Sequence, residues 1–261
     1  MVIFKFDNNW NLQPLKGDTG KAYKGIRDGE EVFLKRNSTP FLAALSREGL
    51  TPKLLWTKRT GNGDIVTAQE WLNGQQLSMI DMVENDEVIR ILNHLHHSES
   101  LRSMLQRMGG HEKSAFDFLR DYVEDLPEAL KTDEFLVRVF RYLEDHLPTY
   151  HSKYYVACHG DVMHKNWVQS EDGTVFLVDW DYSILSDPAL DFGAILGCYL
   201  PISEWASWLE RYGETPNENL IERVKWYAAI NLLLQIKRSY LTKDQESFKN
   251  YVALLEKIEL I

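Results

Sequence analysis

The stretch HGDVMHKNW, residues 159–167, followed by FLVDWDYSILSDPALDFG, residues 176–193, decides how this chain is read. It sets Asp161 beside a His-Gly pair, Asn166 soon after it, and Asp179 on the far side of a turn at Glu171-Asp172-Gly173. Residues 154–158 make a short apolar strand, and residues 167–169 with 174–178 read as a hairpin, so the polar residues fall at strand ends. Loops carry chemistry when a rigid scaffold fixes their ends, and a small sheet of this kind supplies one.

Working outward, residues 22–26 and 31–35 read as strands joined at Arg27-Asp28-Gly29, with further strands at 2–6, 11–15, 53–57 and 64–69. Ser38-Thr39-Pro40 opens a helix, FLAALSREG, that ends near Gly49. Beyond Gly74 the character changes, because residues 83–97, 116–123, 135–146, 218–240 and 248–258 all carry helical apolar spacing. The expected fold is α+β: a strand-rich unit over residues 1–69, a polar hinge over 70–74 and a mainly helical unit over 75–261.

The 261 residues, 44% hydrophobic, can bury a substantial core. A net charge of −10, from 39 acidic and 29 basic residues with no long basic run, argues against nucleic acid as a direct ligand. Cys158 and Cys198 are too few for a disulfide scaffold and fit a reducing compartment. Without a signal-peptide start or an apolar run of about 20 residues, the expectation is a cytoplasmic protein with no membrane span.

Two acids and an amide suit phosphoryl transfer from a nucleotide, which needs divalent cations against the developing charge and a carboxylate to orient the attacking hydroxyl. Mg²⁺ prefers hard oxygen ligands, one or two of them carboxylates, and Asp179 with the side-chain oxygen of Asn166 fits that preference. Asp161 is then free to accept a proton.

HGDxxxxN followed by VDWD and DPxxD resembles the aminoglycoside phosphotransferase and choline kinase superfamily, the small-molecule branch of the bilobal protein-kinase-like fold. The resemblance implies ATP as donor, Asp161 as catalytic base, Asn166 and Asp179 as magnesium ligands, and Asp187 and Asp191 as structural braces of the loop. His159 is read as an anchor of the loop rather than a proton carrier. The hinge segment Gln69-Glu70-Trp71-Leu72 would offer main-chain groups to adenine.

In the strand-rich unit, Lys35 of VFLKR could reach nucleotide phosphates, and the turn KGDTGKAY, with Gly17 and Gly20, would cover them. The competing reading of Lys35 is a solvated edge-strand lysine. The turn is no Walker A loop, since Ala22 stands where Ser or Thr is required. Related kinases pair the strand lysine with a glutamate of the next helix, but residues 37–40 hold none and Glu48 lies near the helix end. Either Glu48 reaches Lys35 from an altered helix, or Lys35 is oriented another way. His94 and His97 share a helical face without thiol or carboxylate support, which argues against zinc. Trp205, Trp208, Trp226 and Tyr227 are read as packing residues in preference to a cage for a quaternary ammonium group.

Across nearly the whole chain, the phrases GKAYKG, AQEWLNG, HGDVMHKNW and LVDWDYSILSDPALDFG resemble the bacterial cell-cycle regulator Z ribosyl kinases. That resemblance implies phosphorylation of the 5-hydroxyl of ribose or 2-deoxyribose, a tie to control of DNA replication initiation, and room for a protein partner in replication or division. A pentose needs polar groups near Asp161, and Asp181, Tyr182, Gln235 and Arg238 could present them. A choline or aminoglycoside acceptor is the enzyme alternative, the string at residues 179–182 being choline-kinase-like although the loop reads His-Gly-Asp. A regulatory scaffold that keeps the kinase fold is the alternative outside catalysis.

Overall fold

The computed structural model describes residues 10–15, 21–109, 112–258 and 260. Gly17, Gly20 and the strand expected over residues 2–6 lie outside them. The chain divides into two compact units, the first holding the described residues up to Gln76 together with Trp167–Asp181, the second the remainder.

In the first unit β1 (Asn11–Pro14), β2 (Ala22–Arg27), β3 (Glu30–Arg36), β4 (Leu54–Arg59) and β5 (Ile65–Glu70) form a sheet in the order β1-β2-β3-β5-β4. Every neighbouring pair is antiparallel. Between β3 and β4 the chain forms α1 (Phe41–Arg47). Asp28 and Gly29 both take positive φ, 52° and 84°, the backbone a tight two-residue hairpin needs to match strand twist. Side chains alternate along β3, so Val32 and Leu34 are buried in a core with Trp10, Val66 and Ala68, while Lys35 projects from the opposite face. β3 lies between β2 and β5, so Lys35 is not on an edge strand. A short strand, β6 (Gly74–Gln76), follows β5.

The second unit begins with α2 (Asp81–Glu84), α3 (Asp86–His97), α4 (Glu99–Arg107), α5 (Ala115–Val123), α6 (Glu128–Lys131), α7 (Glu134–Asp145) and β7 (Val156–Cys158). The next two strands, β8 (Trp167–Ser170) and β9 (Val175–Leu177), belong to the first unit, where β8 pairs antiparallel with β6 and with β9. The second unit resumes with β10 (Ile184–Ser186), α8 (Ala189–Tyr199), α9 (Trp205–Tyr212), α10 (Glu218–Thr242) and α11 (Gln245–Glu256). β10 pairs antiparallel with β7.

Two expectations are corrected. The helix expected over residues 83–97 is two helices, because Asn85 is extended and its side chain accepts the Glu87 N–H, capping α3. The strand expected over residues 154–158 starts only at Val156, since residues Ser152–Tyr154 wind into a 3₁₀ turn. Helix α8 carries no amphipathic period because all but the last of its residues are buried.

The centre of the second unit is the packing of α8 on α10. A Cβ on Gly193 of α8 would lie 2.5 Å from the backbone nitrogen of Ala228, so only glycine allows this approach. Trp205, Trp208, Trp226 and Tyr227 are all buried here, with the indole N–H of Trp226 donating to the Leu143 carbonyl. Both cysteines are free thiols, fully buried, and burial pushes each thiol pKa up, that of Cys198 to about 12. Among the described residues no helix is long and apolar enough to cross a membrane.

Gly193→Ala tests the close approach. Overpacking against backbone should lower unfolding free energy by about 1–3 kcal/mol, read from urea denaturation. A variant as stable as the wild type would show that α8 and α10 have slack at this point.

Candidate active site

In the second unit, the HGD loop leaves β7 and is held from α8. Asp191 accepts the backbone N–H of His159 on Oδ2 at 2.8 Å and that of Gly160 on Oδ1 at 3.0 Å. Its Oδ2 also accepts from Nε2 of His96 at 3.1 Å, which leaves Nδ1 of that ring to the Tyr212 hydroxyl at 2.9 Å. Burial alone would raise the pKa of Asp191, but the hydrogen bond and charge of His96, with His159 and the Gly160 N–H, hold it below the ordinary carboxylate value. Gly160 takes φ 81°, and a Cβ there would meet the Tyr182 carbonyl oxygen at 2.7 Å.

His159 is wholly buried, and its Nδ1 accepts the Asp161 N–H at 3.2 Å. Asn166 donates from Nδ2 to the Asp161 carbonyl at 2.7 Å, so its amide oxygen is the atom left for a ligand. The Asp161 side chain is only 9% exposed, with Oδ2 3.5 Å from Lys165 Nζ. Its Oδ1 is buried and has no hydrogen-bond partner among the described residues. An unpartnered buried carboxylate oxygen is costly, and such an atom in a native fold calls for a ligand or a proton donor.

Asp187 is fully buried at the start of α8, where Oδ1 accepts the Ala189 N–H at 2.9 Å. Arg223 of α10 pairs with it, Nη2 donating to Oδ1 at 3.3 Å and Nε lying 3.0 Å from Oδ2 but out of line for a hydrogen bond. Burial pushes the Asp187 pKa up to about 6 against the opposing pull of Arg223.

The first unit holds the other expected residues. Lys35 Nζ donates to Asp179 at 2.7 Å and lies 2.9 Å from Asp181, so the strand lysine is oriented toward the two aspartates flanking Trp180. Burial draws the Lys35 pKa down, but the hydrogen bonds and charges of Asp179 and Asp181 prevail and hold it above the usual lysine value. Asp179 takes φ 64°, a left-handed conformation uncommon for a residue with a Cβ and one that clusters at functional sites. Its carboxylate is 48% exposed and, with the Asn166 amide oxygen, belongs to the hard-oxygen donor class that Mg²⁺ takes. Gln69 is buried within β5, where Nε2 donates to the Pro52 carbonyl at 2.8 Å, and the Glu70 N–H donates to the Lys53 carbonyl. Trp71 lies under the Lys24 ammonium, 4.4 Å from its ring centroid, and Leu72 follows it outside any strand.

His96 is the residue the sequence reading passed over in favour of His94 and His97. The buried positions Ile89, Leu92 and His96 of α3 share one helical stripe, and that periodicity marks His96 as the inward histidine. His96, Cys158 and Asp191 cluster closely, but both imidazole nitrogens and both carboxylate oxygens are engaged in the bonds above.

Arg223→Met should lower stability by about 3–5 kcal/mol at pH 8, as removing one partner of a buried pair does. The Asp187 pKa is already raised in the folded state, so folding binds its proton, and losing Arg223 widens that difference. The penalty should therefore shrink as the pH falls and the carboxyl is protonated, read as a smaller stability gap from wild type at about pH 5 than at about pH 8. An equal gap at both would detach Arg223 from the ionisation of Asp187.

A model of the phosphotransferase enzyme family matches residues 27–227. Among solved structures the chain is similar to choline kinase LicA from Streptococcus pneumoniae, at 18% identity over 94% of this chain and 93% of that one, with a TM-score of 0.66. It is similar to wild-type aminoglycoside 2'-phosphotransferase-IIIa in its GDP complex, at 16% identity over 95% and 92%, with a TM-score of 0.63. It is also similar to a choline/ethanolamine kinase family protein from Mesorhizobium loti, at 20% identity over 96% and 90%, with a TM-score of 0.62. These likenesses carry the fold, a kinase-like α+β chain with an antiparallel N-terminal sheet and a mainly helical remainder. With more than half its length inside the family match, the chain belongs to the phosphotransferase enzyme family.

Proposed function

We propose an ATP- and Mg²⁺-dependent kinase whose acceptor is a pentose, with ribose or 2-deoxyribose phosphorylated on the 5-hydroxyl. The single observation that carries the catalytic part is Asp161, a buried carboxylate with one oxygen lacking any partner among the described residues, on a loop pinned at its backbone by Asp191. In this reading Oδ1 of Asp161 orients the acceptor hydroxyl and takes its proton. Asn166 and Asp179 hold the metal, which when bound neutralises charge developing on the phosphates. Lys35 serves the nucleotide phosphates, residues 69–72 contact adenine through the main chain, and Gly17 and Gly20 cover the phosphates. His159, Asp187 and Asp191 keep the loop in shape. Nucleotide use is supported by the GDP complex of the aminoglycoside phosphotransferase neighbour.

The pentose rests on the sequence phrases shared with the cell-cycle regulator Z ribosyl kinases, which also motivate a cytoplasmic role in replication control with a protein partner. The burial of Trp205, Trp208, Trp226 and Tyr227 favours it over choline, because those rings are taken up by the core. The choline kinase and aminoglycoside phosphotransferase neighbours make choline and aminoglycosides the competing acceptors.

The test is phosphoryl transfer from labelled ATP with Mg²⁺ to ribose, 2-deoxyribose, choline and kanamycin in separate reactions. Ribose or deoxyribose should be the best acceptor, with label recovered on the 5-hydroxyl; preferential labelling of choline or kanamycin would reject the pentose. Asp161→Asn should lower turnover by about 10²–10⁴-fold, the usual contribution of a general base, with Mg·ATP binding retained. Full activity of that variant would remove Asp161 from the base role.

Asp179→Asn keeps the side-chain volume but removes a charge. In thermal-shift titrations it should lose the extra stabilisation that Mg²⁺ adds to ATP. An unchanged metal-dependent increment would exclude Asp179 from the metal site.

A further inference from the structure

The loop holds a cation that the roles above leave unused. Lys165 sits inside the 3₁₀ turn His164–Asn166, one residue before the amide expected to bind metal. Both of its neighbours are pinned. The His164 N–H donates to the Tyr199 hydroxyl of α8 at 2.9 Å, and that hydroxyl is also 2.8 Å from His164 Nδ1. On the other side, Asn166 donates from its backbone to the Met163 carbonyl at 2.8 Å and from its side chain to the Asp161 carbonyl at 2.7 Å. The backbone that carries Lys165 is thereby fixed relative to Asp161, and its ammonium lies 3.5 Å from Oδ2 of that carboxylate.

The two oxygens of Asp161 are consequently unlike. Oδ2 faces the Lys165 cation, whereas Oδ1 is buried without a partner among the described residues. A carboxylate is acceptor-only when ionised, and a free one can offer either oxygen by rotating its side chain. A cation on one oxygen removes that choice.

We infer that Lys165 is a positioning residue for the proton acceptor: its ammonium holds Oδ2 and so presents Oδ1 to the acceptor hydroxyl. The inference rests on the kinase reading of Asp161 and adds to it the element that sets which oxygen reacts. An ordinary surface pair would look similar in one respect, since Lys165 is 42% exposed and exposed pairs add little to stability. That weakness helps the test, because removing the lysine leaves the fold intact.

Lys165→Met and Lys165→Arg are assayed beside the wild type with Mg·ATP and whichever of ribose, 2-deoxyribose, choline or kanamycin gives the highest wild-type rate, with Tm measured for each protein. Lys165→Met should lose on the order of 10- to 100-fold in kcat, the size that displacing a reacting group by about 1 Å produces. Its KM for Mg·ATP should stay within about twofold of wild type and its Tm should not move, a pattern that marks loss of an interaction used in the reaction step. Lys165→Arg, which returns a cation beside Oδ2, should recover most of that kcat. Met and Arg variants that are both as active as wild type, or that lose kcat equally, overturn the positioning role. A loss of kcat that follows a fall in Tm overturns it too. A wild type inactive on every acceptor sinks the kinase reading and this inference with it, whereas an active wild type beside an equally active Lys165→Met sinks this inference alone.

Discussion

The Asp191 carboxylate is the interaction on which the helical unit's loop depends. Buried at the start of α8, it gathers two consecutive backbone N–H groups, from His159 and Gly160, and one imidazole N–H from His96. Consecutive amides can converge on one carboxylate only if the chain bends sharply, which Gly160 allows through its positive φ and its lack of a Cβ. The bend delivers Asp161 to its buried position, and the Asn166 side chain then closes the loop on the Asp161 carbonyl. Remove the carboxylate and three donors lose their acceptor at a fully buried position. α8 can serve as the anchor because its glycine lets α10 pack against it at backbone distance.

The sheet unit follows a different logic, in which charge replaces the hydrogen-bonded backbone. Lys35 stands on the central strand, its side chain largely buried, and satisfies two carboxylates at once. Neither aspartate would be comfortable beside the other without it, since like charges on neighbouring residues repel. The left-handed backbone at Asp179 is a local cost that the fold accepts to bring its carboxylate to the lysine.

Much of this was legible in the sequence, and the reasons for the rest are physical. The strand-rich beginning, the hairpin of β8 and β9 and the long helices follow from turn residues and apolar period. The family motif singled out Asp161, Asn166, Asp179, Asp187 and Asp191 as expected site residues without locating any of them in space. The missing helix glutamate left two orientations for Lys35, and its pairing with Asp179 and Asp181 fits the second. No periodicity could reveal α8, because a helix buried on every side has no polar face to alternate with. Asn85 was hidden inside an apolar pattern that runs through α2 and α3, since periodicity does not register a cap. Glu70 read as the first residue of the hinge, yet its N–H donates to the Lys53 carbonyl and it ends β5, and such long-range pairing leaves no local trace.

The two thiols give the helical unit a built-in gauge of its own opening. Cys158 on β7 and Cys198 near the end of α8 are both buried and both held as unreactive thiols by that burial. A thiol reagent can reach them only while the strand or helix that covers them has parted, so the rate of modification counts openings instead of surface accidents. Because Cys158 lies on the strand that leads into the loop and Cys198 on the helix that anchors it, comparing their two rates would separate a local parting of the strand from a collapse of the whole unit.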